Sequence, residues 1–119
     1  MPERSTEIDE MLRGWLAAKM RGDREAIVAA LSEDPCVVAI GTDESEWFQG
    51  PAAFADLHGG AGAFDAEIQS LDAWREGTIG WATARAAFPD AGGAVRLSVV
   101  LHQENGVWKV VQTHASVGS

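Results

Sequence analysis

The chain has 119 residues, 46% hydrophobic and 23% charged, with a net charge of −9, which is the length and make-up of one globular domain. No apolar run approaches the ~20 residues that cross a bilayer. The opening Met1–Glu7 lacks a signal-peptide pattern, and the single cysteine, Cys36, excludes an internal disulfide framework, so a cytoplasmic protein is expected. Between Glu25 and Trp74 there is no Lys or Arg against ten Asp and Glu, the opposite of the clustered cations that nucleic acid or an anionic membrane surface requires.

The first helix is announced by Ser5 or Thr6 as N-cap and by Glu7, Asp9 and Glu10 in its first turn, where carboxylates suit the helix dipole. Ile8, Met11, Leu12, Trp15, Leu16, Lys19 and Met20 then recur at three- and four-residue steps, one stripe along a helix of about four turns. Gly22 suits a left-handed cap and Asp23 an N-cap for a short second helix from Arg24 to about Ser32. Glu33-Asp34-Pro35 ends it, because a residue before proline avoids helical geometry. Cys36–Ile40 has the β-branched run of a strand, with Cys36 as a small core residue, and Glu46–Gln49 reads as a second strand hairpinned to it. Pro51 opens a third helix to about His58.

The remainder reads as antiparallel sheet. Gly59-Gly60-Ala61-Gly62 is a flexible link, expected to act as a hinge by the mouth of any cavity. Phe64, Ala66 and Ile68 alternate with polar residues, and the alternation flips near Ser70-Leu71, the mark of a bulge. Strands follow over Ile79–Phe88, from Val95 to His102, and over Val107–Val117, joined by the loop Pro89–Gly93 and by an Asn105-Gly106 hairpin. Segregated helices and strands make an α+β fold. A long curved antiparallel sheet needs one face covered, and only the first helix is long and apolar enough to lie across its concave side. The expected product is a cone with a hollow that takes a small molecule.

Three segments carry a family resemblance. Gly22-Asp23 with Ala26-Ile27 and Leu31-Ser32, then Ile40-Gly41-Thr42-Asp43 with Glu46-Trp47-Phe48-Gln49-Gly50, and finally Asn105-Gly106-Val107-Trp108-Lys109-Val110-Val111-Gln112-Thr113-His114-Ala115-Ser116 resemble the SnoaL-like proteins. These belong to the nuclear-transport-factor-2-like superfamily, with ketosteroid isomerase, scytalone dehydratase and the polyketide cyclases. The likeness runs from about Glu7 to Val117, so one SnoaL-like domain over 1–119 is expected. It implies a cone-shaped, cystatin-like α+β barrel. Activity does not follow, because this superfold hosts enzymes, adaptors and assembly domains. A similar closing strand occurs in the association domain of calcium/calmodulin-dependent kinase.

Proton transfer beside a carbonyl needs a carboxylate base and donors for the oxyanion. The chain has no tyrosine, and its last three strands contain no Asp or Glu. The SnoaL-like cyclases carry their base aspartate on a strand near the C-terminus, where this chain has Gln112-Thr113-His114. Asp43, Glu46, Asp65 and Glu67 read as solvated carboxylates. By strand parity His114 shares a side with Trp108, Val110 and Gln112. If that side is the cavity, His114 is the candidate general base, with Gln112 beside it. A structural histidine tying strand to helix is the other reading.

Arg85, in the alanine-rich strand Trp81–Ala87, shares a face with Trp81 and Thr83 and is the candidate partner of a ligand carboxylate. In the kinase association domain an arginine on a similar strand lines the pocket, and an outer-face or dimer-interface position is the alternative. Arg96 and His102 are expected to point outward. Trp15 must face the sheet, Trp47 belongs near the cavity mouth, Trp81 serves cavity or interface, and Trp108 is core. The candidate ligand-binding set is therefore Trp15, Trp47, Trp81, Arg85, Gln112 and His114. His58, His102 and His114 have no metal-site spacing, so no metal is expected, nor any cofactor.

Three functions stay open on this reading. The leading one is a small-molecule-binding protein whose ligand is apolar or aromatic and carries an anionic group near Arg85. The second is a cofactor-free isomerase, dehydratase or cyclase using His114. The third is a non-catalytic dimerisation module. A homodimer through the convex face of the sheet is expected in any case, because long strands apolar on both faces need cover on both sides.

Overall fold

The structure is a computed structural model that describes residues 1–60, 62–89 and 93–118. Position 61 of the expected glycine-rich hinge and positions 90–92 of the expected Pro89–Gly93 loop lie outside the described residues. In chain order the elements are β1 (Glu3–Arg4), α1 (Thr6–Met20), α2 (Arg24–Ala29), β2 (Val38–Ile40), β3 (Trp47–Gln49), α3 (Pro51–Gly59), β4 (Glu67–Glu76), β5 (Ile79–Ala87), β6 (Ala94–Glu104) and β7 (Val107–Gly118). They form an α+β fold with one seven-stranded open sheet, ordered β1-β4-β5-β6-β7-β2-β3.

Local chemistry sets most of the boundaries. Ser5 Oγ accepts the Ile8 amide at 3.1 Å and caps α1. Asp23 Oδ1 does the same for the Ala26 amide at 3.2 Å and opens α2. Between them Gly22 turns the chain with φ of 71°, a conformation that side chains with a Cβ avoid. Asn105 and Gly106 both have positive φ, 52° and 79°, the type I′ hairpin that the dipeptide predicts. Helix α2 stops at Ala29, short of the expected Ser32, because Leu31 joins the sheet by a parallel bridge to Val110.

Two features carry no local signal. Strand β1 is only two residues, held against Trp74 and Arg75 of β4. Strand β2 runs parallel to β7, with Val38 opposite Gln112 and Ile40 opposite His114, in a sheet otherwise antiparallel. Cys36 is exposed and lies before β2, not in the core; Asp34 accepts its amide at 3.0 Å.

Helix α1 lies across the inner face of the sheet and buries Ile8, Leu12, Trp15 and Ala18. Against it stands the inner row of β5, made of Gly80, Ala82, Ala84 and Ala86. At Gly80 the helix occupies the space: a Cβ there would collide with Ile8. Leu97, Val99 and Leu101 of β6 face the same way, opposite Ala84, Ala82 and Gly80.

Two bulges decide which side chains face inward. The first falls on Gln69 in β4, between the pairs Ile68–Ala86 and Ser70–Arg85, where the alternation predicts it. The second falls on Val111 in β7, between Leu101–Val110 and Val100–Gln112. One extra residue moves every later side chain to the other face. Trp108 and Val110 stay in the core, but beyond the bulge it is Thr113 that is buried, while Gln112 and His114 are exposed on the outer face.

Candidate functional site

The stripe of α1 carries one charged residue, Lys19, one turn after Trp15. Helix α3 presents Phe54 and His58, four residues apart and therefore on one face. Both are buried, as is Thr113 of β7. The three polar side chains meet. Lys19 Nζ lies 2.7 Å from His58 Nδ1, and His58 Nε2 lies 2.9 Å from Thr113 Oγ1. The imidazole is wedged between two rings, 5.1 Å from Trp15 and edge-on to Phe54 at 4.8 Å. The Lys19 ammonium sits 4.6 Å from the centre of the Trp15 ring, and Trp15 Nε1 donates to the Ile27 carbonyl at 3.1 Å.

Charge assigns the protons in this chain of groups. Burial, and then the nearby Lys19 charge, lower His58 from 6.5 to about 3, so the ring is neutral. Burial lowers Lys19 from 10.5 to about 8, so most of it is still an ammonium at pH 7. Lys19 therefore donates to Nδ1. The single ring proton resides on Nε2 and is donated to Thr113 Oγ1.

On the other side of Lys19 is a cavity of about 160 Å³ between α1 and the inner face of the sheet. Leu16 and Met20 flank the lysine, and Ile68, Ala84, Ala86, Val95, Leu97 and Ala115 form the floor. The floor is hollow because β5 contributes alanines where its neighbours contribute larger side chains. Phe64 and Phe88 also line it, their rings 5.6 Å apart, and the Phe64 amide ties that segment to the Met20 carbonyl at 2.9 Å. Lys19 is the single ionisable residue of the lining among the described residues.

The six residues expected to bind ligand divide unevenly. Trp15 alone faces inward, beneath Lys19. Trp47 is 59% exposed, on the outer side of β3. Trp81, Arg85, Gln112 and His114 all project from the outer face. The correction for Gln112 and His114 is the bulge at Val111. For Trp81 and Arg85 it is strand parity: Gly80, Ala82, Ala84 and Ala86 take the inner face of β5, so the intervening residues face out. Arg96 and His102 point outward, as expected. Arg85 and His114 do meet, in an open groove of about 330 Å³ on the outer face, with Arg96 and the hydroxyls of Ser70, Thr83, Ser98 and Ser116. This groove is larger than the inner cavity, but its side chains are exposed and polar, so it offers little burial to an apolar ligand.

Asp43, Glu44 and Asp65 are exposed, and Glu46 accepts the Asp43 amide at 3.0 Å. No cluster of three potential metal ligands occurs among the described residues. Lys19 and His58 were the residues that sequence reasoning missed. Their signal was present: a lysine on an apolar helical stripe, and a histidine one turn from a buried phenylalanine.

Comparison with known proteins gives the following. The SnoaL-like domain family matches residues 8–119. No curated protein matches the sequence. Among solved structures, the chain is similar to a cystatin-like fold protein from Burkholderia xenovorans, with a TM-score of 0.84, 15% identity, and coverage of 98% of this chain and 97% of that one. It is also similar to a ketosteroid isomerase candidate from Parabacteroides distasonis, with a TM-score of 0.77, 17% identity, and coverage of 96% and 90%. A third likeness is to a candidate association domain of calcium/calmodulin-dependent protein kinase type II from Thiobacillus denitrificans, at 0.72, 21% identity, and coverage of 93% and 94%. At these identities the structures establish the fold and nothing about activity.

Proposed function

The chain belongs to the SnoaL-like family, and on that premise we propose that its inner cavity binds one small apolar molecule with an oxygen-bearing head group turned to Lys19. The observation that supports this is a cavity of about 160 Å³ lined by apolar side chains and one lysine. A dry apolar cavity of about 150 Å³ holds a single benzene ring. Ordinary ligand pockets begin near 300 Å³. The ligand is accordingly one ring or a short aliphatic chain, not a steroid or a fused polyketide. Lys19 takes the place first given to Arg85 as the cation that meets the head group, and His114 is not carried forward as a cavity base because it stands on the opposite face.

The test is thermal stabilisation by benzoate, benzyl alcohol and benzylamine. The first two are expected to raise the melting temperature. Benzylamine, itself a cation, is expected to leave it unchanged. Ala86→Phe fills the floor and is expected to abolish the shift, whereas Arg85→Ala, on the far side of the same strand, keeps it. Loss of binding in Arg85→Ala with retention in Ala86→Phe contradicts the proposal.

A second copy of the chain is the partner favoured for the outer face. In register, Trp74, Trp81 and Val100 run side by side across three adjacent strands, an apolar row that association would cover. Sedimentation of the wild type as a dimer and of Trp81→Glu as a monomer is the expected result; a monomeric wild type contradicts it.

A further inference from the structure

We propose that Lys19 is a nucleophilic amine that condenses with a small aldehyde or ketone bound in the cavity, forming a Schiff base on the protein. The inference rests on the cavity reading above and names the substrate class for it. Three observations carry it. Lys19 is part of the wall of an apolar hollow of one-ring size. None of the described lining residues is a carboxylate that would hold it as a permanent ammonium. The amine is also anchored: one N–H points to His58 Nδ1 at 2.7 Å, and His58 is fixed in turn by Thr113 and two aromatic rings. That contact exists whether Nζ is charged or neutral, and it leaves the lone pair of the neutral amine free to face the cavity. Burial supports the reading, since with Lys19 lowered to about 8 roughly a quarter of it is free amine at pH 7.5, against about a thousandth for an ordinary lysine.

The step balances without an oxidant or reductant. The Nζ lone pair forms a bond to the carbonyl carbon, and the carbonyl π pair moves to oxygen, which takes a proton from water at the cavity mouth. Nitrogen releases a proton to the same water. The resulting carbinolamine loses its hydroxyl group, with a proton, as water, and the nitrogen lone pair closes the C=N bond. Amine and carbonyl have become imine and water. His58 is a positioning residue, since it holds the amine and touches no substrate atom.

The chain lends itself to a clean test because it has only two lysines, Lys19 and Lys109. The full chain is incubated with benzaldehyde and cyanoborohydride, which reduces an imine to a stable benzylamine, and the adduct is mapped by peptide mass. The expected result is a benzyl group on Lys19 at about ten times the yield on Lys109, since greater free-amine content outweighs the lower basicity. The yield is expected to rise with a midpoint near pH 8, and benzyl alcohol should suppress it by competition. Lys19→Arg should lose the adduct. His58→Ala should lower the yield and His58→Gln should restore part of it, a recovery that a purely structural role does not require. Equal labelling of both lysines, or labelling that benzyl alcohol leaves unchanged, overturns the proposal. If benzyl alcohol binds but Lys19 carries no adduct, the imine is wrong and the binding reading stands. If benzyl alcohol does not bind either, both fall.

Discussion

The two faces of the sheet are built from alternate residues of the same strands, and they differ in kind. On the inner face, Ala82, Ala84 and Ala86 of β5 lie beside Val99, Leu97 and Val95 of β6, and the single cation is borrowed from helix α1. On the outer face the intervening residues set Thr83 beside Ser98 and Arg85 beside Arg96, with His114 one strand further. The difference shows that in this sheet chemistry follows parity, and that parity is set by where the bulges fall. Two arginines and a histidine crowd the outer groove but gain no enclosure. One lysine on the inner side gains enclosure and, with it, a lowered proton affinity.

The comparison is broken most severely in the buried core. Phe54 is fully buried, so Phe54→Ala is expected to cost about 3–5 kcal/mol in urea unfolding. Trp47→Ala, on the exposed side, should cost under about 0.5 kcal/mol. Similar costs for the two would mean that the inner face is not the more tightly packed one.

A smaller effect separates the faces by pH. Folded His58 stays neutral down to about 3, while the unfolded imidazole takes its proton near 6.5. Over that interval the unfolded chain binds more protons, so the contribution present above 6.5 is lost as pH falls toward 3. His58→Gln should flatten that slope. Lys19 acts in the alkaline window with the same sign: between about 8 and 10.5 the unfolded chain keeps its proton longer, so stability rises with pH there. An acid slope that persists unchanged in His58→Gln would contradict the burial of a neutral His58.

The smallest effect belongs to the outer arginines. Arg85 and Arg96 stand directly opposite each other, and like charges so placed disfavour the pairing. Arg96→Glu is expected to gain about 0.5 kcal/mol and to leave ligand stabilisation of the cavity unchanged. A loss of that stabilisation would tie the groove to binding after all.

How much of this was legible depended on whether the signal was local. Ser5, Gly22-Asp23 and Asn105-Gly106 act on their immediate neighbours, and the elements begin and end at them. The bulge at Gln69 showed as a flip in the alternation. The bulge at Val111 did not, because Val110 and Val111 are equally apolar and either could be the extra residue. Its place is fixed by β6 on one side and by the parallel strand β2 on the other, and a parallel pairing leaves no mark in the sequence of either strand. That one position moved Gln112 and His114 out of the cavity. Lys19 stood on the apolar stripe from the start, but its meaning depended on meeting His58, 39 residues away, and only the folded chain supplies that contact.

The most direct test of which face receives the ligand is a crystal of the chain with 4-bromobenzyl alcohol, read by the anomalous signal of the bromine. The account predicts one peak inside the hollow, among Leu16, Ala84 and Ala86, with the hydroxyl oxygen toward Lys19. A peak between Arg85 and Arg96 on the outer side of the same strands, with the hollow unfilled, would contradict it.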